Sequence, residues 1–149
     1  MKPPAASSPA VAAVMSGNRK WDTRPEVRLR SRLHASGLRY RKHWPIKLAS
    51  GESQLTVRPD VVFTRARVAV FVDGCFWHSC PKHGRSPQSN HEYWSEKLRR
   101  NIARDRLVDS ALAEAGWDVV RIWEHESAED AAGRVHARVL ARRQRSQLG

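Results

Sequence analysis

The chain has 149 residues, enough for one domain with a hydrophobic core that needs no disulfide cross-links. Its 27 Lys and Arg residues outnumber its 15 Asp and Glu residues, which gives a formal charge of +12. This excess favours a polyanion such as nucleic acid as the partner, although a solvated, charge-rich surface would also account for it. No apolar run approaches the ~18 residues that span a bilayer, which argues against a membrane partner.

Residues 1–17 contain one lysine and a short apolar stretch interrupted by prolines. This composition is typical of a flexible arm rather than a signal peptide. We therefore expect a reducing, cytoplasmic location, where two cysteines are better interpreted as metal ligands than as a disulfide. A single domain is predicted over residues 18–145, followed by a tail over 146–149.

The first elements are a helix and a strand. Thr23 and Glu26 have the spacing of a capping box, with a proline in the first turn, and Gly37 ends the predicted helix. Polar and bulky residues alternate over Leu38–Trp44, which predicts a half-exposed strand. A loop is predicted over Pro45–Ser53.

The remaining elements predict a mixed sheet between helices. LTVRPDVVF and ARVAVFVDG predict a hairpin, and five successive apolar residues over Val68–Val72 indicate a central strand buried on both faces. The later elements are a helix over Asn90–Ala115 ended by Gly116, a strand over Trp117–Trp123, and a basic helix from Ser127 to about Arg143. The order β-β-β-α-β with flanking helices indicates an α/β fold.

A zinc site is predicted at one edge of this sheet. Strands 68–72 and 117–123 belong to one β-α-β unit, so they should be parallel neighbours whose carboxyl ends share an edge. Cys75, Cys80 and His83 follow the first strand, and His125 follows the second. Four such ligands suit a tetrahedral structural zinc. The alternative is a pair of buried free thiols beside surface histidines.

Two aspartates are candidates for chemistry. Asp60 lies within a predicted strand, near the end that carries Val72, and a buried carboxylate needs a partner such as a divalent cation. Asp105 falls on the apolar stripe of the long helix, where it pairs either with a histidine or, at the margin of the stripe, with Arg104 or Arg106. With His78 nearby, these residues suit metal-assisted hydrolysis of a phosphodiester.

Five segments together resemble the very-short-patch-repair (Vsr) family of mismatch endonucleases. They are DTRPEVRLRSRLHASGLRYR, RPDVVF, VAVFVDGCFWHSCPKH, YWSEKLRRNIARD and GWDVVRIWEHE, in the family's order. The resemblance covers about residues 14–126. It implies a restriction-endonuclease-like core and a nick on the 5′ side of the thymine in a T·G mismatch, which arises when 5-methylcytosine is deaminated.

The resemblance also implies roles for individual residues. Asp60 matches the metal-binding aspartate, and His78 matches the histidine that acts as general base. Asp105 would orient that histidine, and Glu26 would reach the Mg²⁺ site through water. The zinc ligands named above occupy the family's structural zinc positions.

DNA contacts are implied at aromatic and N-terminal residues. Phe76, Trp77 and Trp94 resemble a wedge inserted beside the mismatch, and Met15 matches a residue that enters from the other groove. The alternatives are core packing for Trp94 and a cover over the zinc loop for the other two. The remaining expected DNA contacts are Arg19 and Lys20. We expect a monomer that acts on double-stranded DNA, with mismatch-repair proteins as further partners.

The chain departs from the family's best-known members at three points. Val72 and Asp73 stand where those members have Thr-His, so Val72 offers Mg²⁺ only its main-chain carbonyl. Asp73 either adds a carboxylate to the site or shapes the turn before Gly74. His125 stands where a cysteine is common, and no lysine ends the nuclease signature, so His78 has to act as the base.

Two other function classes stay open. One is a zinc-braced DNA-binding module without catalysis. The other is a nuclease of the same fold that acts on a different DNA structure.

Overall fold

The computed structural model describes residues 23–74 and 91–148. The described elements, in chain order, are α1 (Arg24–Ala35), β1 (Ile46–Ser50), β2 (Ser53–Val57), β3 (Val61–Phe63), β4 (Val68–Asp73), α2 (His91–Glu114), β5 (Asp118–Trp123) and α3 (Ala128–Leu148). This is the mixed α/β class that the pattern of elements predicts.

Three strands form the central sheet in the order β3-β4-β5. β3 and β4 pair antiparallel, with Val61 opposite Val70, and β4 and β5 pair parallel, with Val68 opposite Asp118. The predictions of a hairpin, of a parallel β-α-β unit and of a central strand from Val68 are therefore confirmed. A separate antiparallel pair, β1 and β2, forms a second sheet.

Each face of the central sheet has its own hydrophobic cluster. On one face, β-strand residues such as Val70 and Val120 pack with Leu29 and Leu33 of α1 and with Val135 of α3. The other face packs against α2 and the β1–β2 pair, through residues such as Val62, Ala69, Leu112 and Ile46. The alternating side chains of β3 and β4 thus serve both clusters, which explains their nearly continuous apolar sequence.

Several predicted helix boundaries agree with the structure. Gly37 and Gly116, which follow α1 and α2, have φ values of +85° and +87°, as expected for the residue after a helix. At the start of α3, Ser127 Oγ accepts a hydrogen bond from the Asp130 N–H at 3.1 Å. This helix extends beyond Arg143, to Leu148. At Thr23 the prediction of a capping box was wrong, because its side chain makes no cap bond and Glu26 is buried instead.

The strand predicted over Leu38–Trp44 was wrong. The segment touches the sheet only at a single bridge, in which Arg41 and Val62 exchange backbone hydrogen bonds of 2.9 and 2.8 Å. Leu38 is buried and Tyr40 packs edge-on against Phe63. The bulky positions of this segment therefore cover the core without strand pairing.

The loop predicted over Pro45–Ser53 was also wrong, because β1 occupies most of it. Ile46 and Leu48 alternate inward along β1, and Gly51, at φ +61°, turns the chain into β2. The stretch LTVRPDVVF is accordingly divided between two strands in different sheets. Pro59 lies in the break, where a residue without an N–H can be accommodated.

Candidate metal centre and active site

Asp60 lies in the break between β2 and β3, directly beside the end of β4. Its Oδ2 accepts a hydrogen bond from the Val72 N–H at 2.7 Å. This short contact confirms that the hairpin brings Asp60 to the strand end that leads to Asp73 and Gly74. The position of the carboxylate is therefore set by the backbone of the central strand.

Glu26 enters the same place from α1. Its side chain is buried, and Oε2 lies 3.3 Å from Arg30 Nη1, one helical turn along α1. Oε2 also lies 3.4 Å from His43 Nε2. Ligand atoms of Glu26, His43 and Asp60 all lie within 4.8 Å of one another. This cluster, hereafter the carboxylate–histidine cluster, is a candidate site for a divalent metal.

The electrostatics of the cluster favour an added cation. Burial raises the pKa of Asp60 from 3.8 to about 7, against the lowering effect of the Val72 hydrogen bond. The negative charge of Glu26, a hydrogen bond between the two carboxyl groups and the charge of Asp73 raise this pKa further. A carboxyl group that tends to retain its proton near neutral pH lacks sufficient positive charge around it. A divalent cation would supply that charge, so the donor set fits a metal ion.

Asp73 and Asp105 meet at an arginine that sequence reasoning did not single out. Arg121 Nη1 donates to both carboxylate oxygens of Asp73, at 3.0 and 3.1 Å, and lies 3.6 Å from Asp105 Oδ1. Arg121 Nε and Nη2 donate to Asp109, the latter at 2.7 Å. The guanidinium also lies 4.3 Å above the Phe71 ring. We call this set the Arg121 cluster.

The Arg121 cluster bears on two predictions. Asp73 is only 4% exposed, and neither of its two predicted roles includes the half-buried guanidinium of Arg121 that it binds. Asp105 contacts the same arginine, which neither of its two alternatives named. Burial acts to lower the pKa of Arg121, but the three carboxylates outweigh burial and raise it, so the charge is permanent. Asp105 is paired, as its place on the apolar stripe had indicated, and its contact with Arg121 runs from α2 to β5.

The carboxyl ends of β4 and β5 lie side by side. The Glu124 N–H donates to the Asp73 carbonyl at 3.0 Å, and the exposed His125 follows immediately. His125 therefore leaves the sheet at the edge from which the chain continues toward Cys75. The geometry agrees with the topology from which the zinc site was predicted.

The other predicted site residues fall on parts of the chain without a description. Trp94 lies in the first turn of α2, but its side chain is not among those described. The predicted residues outside the described ranges are Met15, Arg19, Lys20, Cys75, Phe76, Trp77, His78, Cys80 and His83.

Sequence comparisons identify the family. The profile described as DNA mismatch endonuclease Vsr matches residues 8–83. The type II nicking enzyme V.NaeI of Lentzea aerocolonigenes is 54% identical, over 81% of this chain and 71% of the relative. The type II nicking enzyme V.XorIIP of Xanthomonas oryzae pv. oryzae is 40% identical, over 78% of this chain and 80% of the relative. DNA mismatch endonuclease Vsr of Escherichia coli (strain K12) is 38% identical, over 69% of this chain and 62% of that protein.

The chain belongs to the Vsr family of DNA mismatch endonucleases. The predicted family is thereby confirmed, and so is the prediction of a DNA endonuclease. DNA as the partner agrees with the strongly basic composition. Among the described helices, none combines the length and the apolar character that crossing a bilayer would require.

Two residues of the candidate site were missed by sequence reasoning. His43 was assigned to a half-exposed strand, and nothing near it in the sequence indicates that it meets Glu26 across the fold. Arg121 had a detectable signal, because Val119 and Trp123, two residues away on the same strand face, are apolar, as are its two immediate neighbours on the opposite face. A charged residue in that setting requires a buried partner.

Proposed function

We propose that this chain nicks DNA on the 5′ side of the thymine in a T·G mismatch, by Mg²⁺-dependent hydrolysis of a phosphodiester. The observation that carries the proposal is the pairing of Asp60 with Glu26 at the end of β4, in a member of the Vsr family. The three-stranded sheet between helices is consistent with the restriction-endonuclease-like core that the family resemblance implies.

Asp60 and the main-chain carbonyl of Val72 would hold Mg²⁺, with Glu26 reaching it through water. The raised pKa of Asp60 supports this assignment, because it indicates a cluster that lacks positive charge. When bound, the ion stabilises the charge that develops on the phosphate and lowers the pKa of water. The Val72 N–H fixes Asp60 Oδ2, so the carboxylate is oriented before the ion arrives.

We assign the role of general base to His78 and the role of orienting it to Asp105. His78 lies four residues beyond Gly74, on the segment that leaves β4 beside Asp60. Asp105 is held near the same edge through Arg121, which also binds Asp73. A base at this edge can take a proton from the attacking water while the metal cluster holds the phosphate.

A structural zinc would anchor the segment that carries His78. Cys75, Cys80 and His83 are its proposed ligands on one side, and His125 closes the set from the end of β5. The adjacency of Asp73 and Glu124 supports this, since the two chain exits start side by side. Closed sites with four sulfur or nitrogen ligands suit zinc.

Mismatch recognition is assigned to the aromatic wedge and the N-terminal arm. Phe76, Trp77 and Trp94 would separate the base pairs beside the mismatch, and Met15 would enter from the other groove, with Arg19 and Lys20 on the phosphates. Unstacking costs a few kcal/mol, and less at a mismatched pair, so insertion favours the damaged site. Action as a cytoplasmic monomer alongside mismatch-repair proteins stays a prediction.

The test compares labelled T·G and matched C·G duplexes incubated with Mg²⁺ and the zinc-loaded protein. The wild type should nick the T·G duplex 5′ of the thymine and leave the C·G duplex intact. Replacement of the proposed base in His78→Ala should slow nicking by about 10²- to 10⁴-fold. His34→Ala is the matched control, because His34 is exposed near the end of α1, and it should retain the wild-type rate.

Other outcomes would select a different function. Equal cleavage of T·G and C·G duplexes would indicate a nuclease of the same fold for another DNA structure. Binding without nicking under every metal condition would indicate a DNA-binding module.

A further inference from the structure

His43 has a backbone conformation that is uncommon for residues other than glycine. Its φ is +54°, and among the described non-glycine residues only Arg67 shares a positive value. Such a conformation costs on the order of 1–3 kcal/mol and is found disproportionately at functional sites. Here the positive φ turns His43, which lies between α1 and β1, back toward Glu26. The imidazole of His43 therefore lies close to the carboxylates of Glu26 and Asp60.

The distances within the cluster are compatible with a shared ion. The 3.4 Å between His43 Nε2 and Glu26 Oε2 is long for an N–H···O bond, which is typically ~2.7–3.2 Å. Two ligands bound at about 2.1 Å to one octahedral ion lie roughly 3 Å apart when adjacent and roughly 4.2 Å apart when opposite. The ligand atoms of His43 and Asp60 lie within 4.8 Å of each other, close to that range, and Glu26 lies near enough to reach the same ion through water.

Glu26 does not need His43 to balance its charge. Arg30, one turn along α1, places a permanent cation 3.3 Å from the same carboxylate oxygen. The His43 side chain is 16% exposed, so it is largely withdrawn from water and directed to the cluster. His43 Nε2 faces the Glu26 carboxylate, and a ligand nitrogen of the same ring lies within 4.8 Å of Asp60. Imidazole nitrogens placed beside carboxylates in this way are common metal ligands.

We propose that His43 is a nitrogen ligand of the catalytic metal and that it gives this centre a preference for Mn²⁺ over Mg²⁺. Imidazole nitrogen suits transition metals, whereas Mg²⁺ is held by oxygen ligands and water. The carboxylates alone would serve either ion, and His43 adds the discrimination. This inference rests on the metal centre of the proposed function and adds to it a ligand and a choice of ion.

The experiment titrates Mn²⁺ into zinc-loaded full-length protein and follows it by electron paramagnetic resonance, with Mg²⁺ measured by competition. Electron spin echo modulation then reports whether a ¹⁴N nucleus is bound to the Mn²⁺. The wild type should show directly coupled ¹⁴N. In His43→Gln that coupling should vanish and Mn²⁺ affinity should fall by about 10-fold or more, while Mg²⁺ affinity changes by less than about 3-fold. His34→Ala should match the wild type in all three measurements.

Absence of ¹⁴N coupling in the wild type overturns the inference. This measurement uses only the wild-type protein, so it does not depend on whether a variant folds. Coupling that persists in His43→Gln overturns it too, as does an equal loss of affinity for both ions. None of these results decides whether the wild type nicks the T·G duplex with Mg²⁺, which the experiment of the proposed function measures separately. Failure of the ligand assignment is thus distinguishable from failure of the proposed function.

Discussion

At the scale of single residues, the position of the Asp60 carboxyl group lowers the stability of the folded protein when this group is ionised. Its carboxyl group is shielded from water and faces Glu26 and Asp73, so ionisation is unfavourable until a cation arrives. If Asp60 binds the proposed metal ion, this arrangement destabilises the metal-free protein in favour of the metal-bound one, a trade-off that is common at catalytic sites. The hydrogen bond from Val72 offsets part of that cost.

The pH dependence of stability follows from the direction of this shift. The pKa of Asp60 is about 7 in the folded protein and 3.8 ordinarily, so between these values the folded state holds a proton that the unfolded state has released. The resulting stabilisation is fully present below pH 3.8 and is lost as pH rises through about 7. Metal-free wild type should therefore lose more stability between pH 5 and pH 8 than Asp60→Asn does, as measured by urea denaturation.

Glu52→Gln serves as the control, because Glu52 is exposed in the turn between β1 and β2. It should follow the wild-type pH dependence. A pH dependence of Asp60→Asn equal to that of wild type would show that Asp60 ionises normally.

The Arg121 cluster is the second residue-scale feature with a measurable consequence. Asp73 is buried and pairs with Arg121, so Arg121→Met removes the guanidinium from a buried carboxylate and should destabilise the protein by about 3 kcal/mol. In Asp73→Asn/Arg121→Met the loss should be smaller than the sum of the two single losses, because each partner is costly mainly when the other is absent. Urea denaturation of the four proteins in this cycle measures the coupling.

Arg100→Met is the control for Arg121→Met. Arg100 pairs with Glu96 at 3.1 Å, but both side chains are largely exposed, at 69% and 46%. Its replacement should change stability by less than about 1 kcal/mol. Additive losses in the Asp73 and Arg121 cycle would contradict the pairing.

The sequence indicated the carboxylates of the site better than their partners. Asp60 interrupts an apolar strand pattern and Asp105 interrupts a helical stripe, so each was visible as a local anomaly. His43 was not visible, because its relation to Glu26 arises only when the chain after α1 turns back. Residues brought together by a turn of unusual φ leave no periodic signal in the sequence.

At the scale of elements, the β-α-β unit was predictable and the region before it was not. The apolar run of β4, the stripe of α2 and Gly116 each have a single local interpretation. The segment from Leu38 to Val57 has two, because alternating bulky residues indicate either a strand or an irregular segment that covers the core. The pairing of β1 with β2 decides between them, and pairing depends on contacts that a pattern of single residues does not specify.

Replacing the glycine that follows α1 and the glycine inside α3 by alanine should change the stability of the protein in opposite directions. Gly37 follows α1 at φ +85°, a conformation that alanine adopts only with strain, so Gly37→Ala should destabilise the protein by about 1 kcal/mol. Gly133 lies inside α3, with nothing within 4 Å of an added Cβ, so Gly133→Ala should stabilise it by about 0.5–1 kcal/mol. Thermal denaturation of the two variants should give shifts of opposite sign, and shifts of the same sign would contradict the boundary of α1 or the interior position in α3.

At the scale of the whole molecule, the charge of +12 predicts how DNA binding responds to salt. Binding that releases counterions from phosphates weakens linearly in log Kd against log salt. Binding to matched DNA should therefore weaken steeply between ~50 and ~200 mM salt. Fluorescence anisotropy measures this slope, and a flat response would contradict phosphate contacts as the main source of affinity.

The central sheet gathers the parts of the site into one place. β4 carries the backbone that orients Asp60, α1 supplies Glu26, and α2 supplies Asp105, which reaches the same edge through Arg121. The helices on the two faces of the sheet therefore bring charges to one end of the central strand. The central claim is that this end is where the phosphodiester is hydrolysed.

The single-turnover rate at which Asp60→Asn nicks a T·G duplex tests that claim most directly. The substitution keeps the shape of the side chain and removes its charge, so DNA affinity should stay within about 3-fold of wild type while the nicking rate falls by about 10³-fold or more. A nicking rate within 10-fold of wild type, at unchanged DNA affinity, would contradict the placement of the catalytic centre at the end of β4.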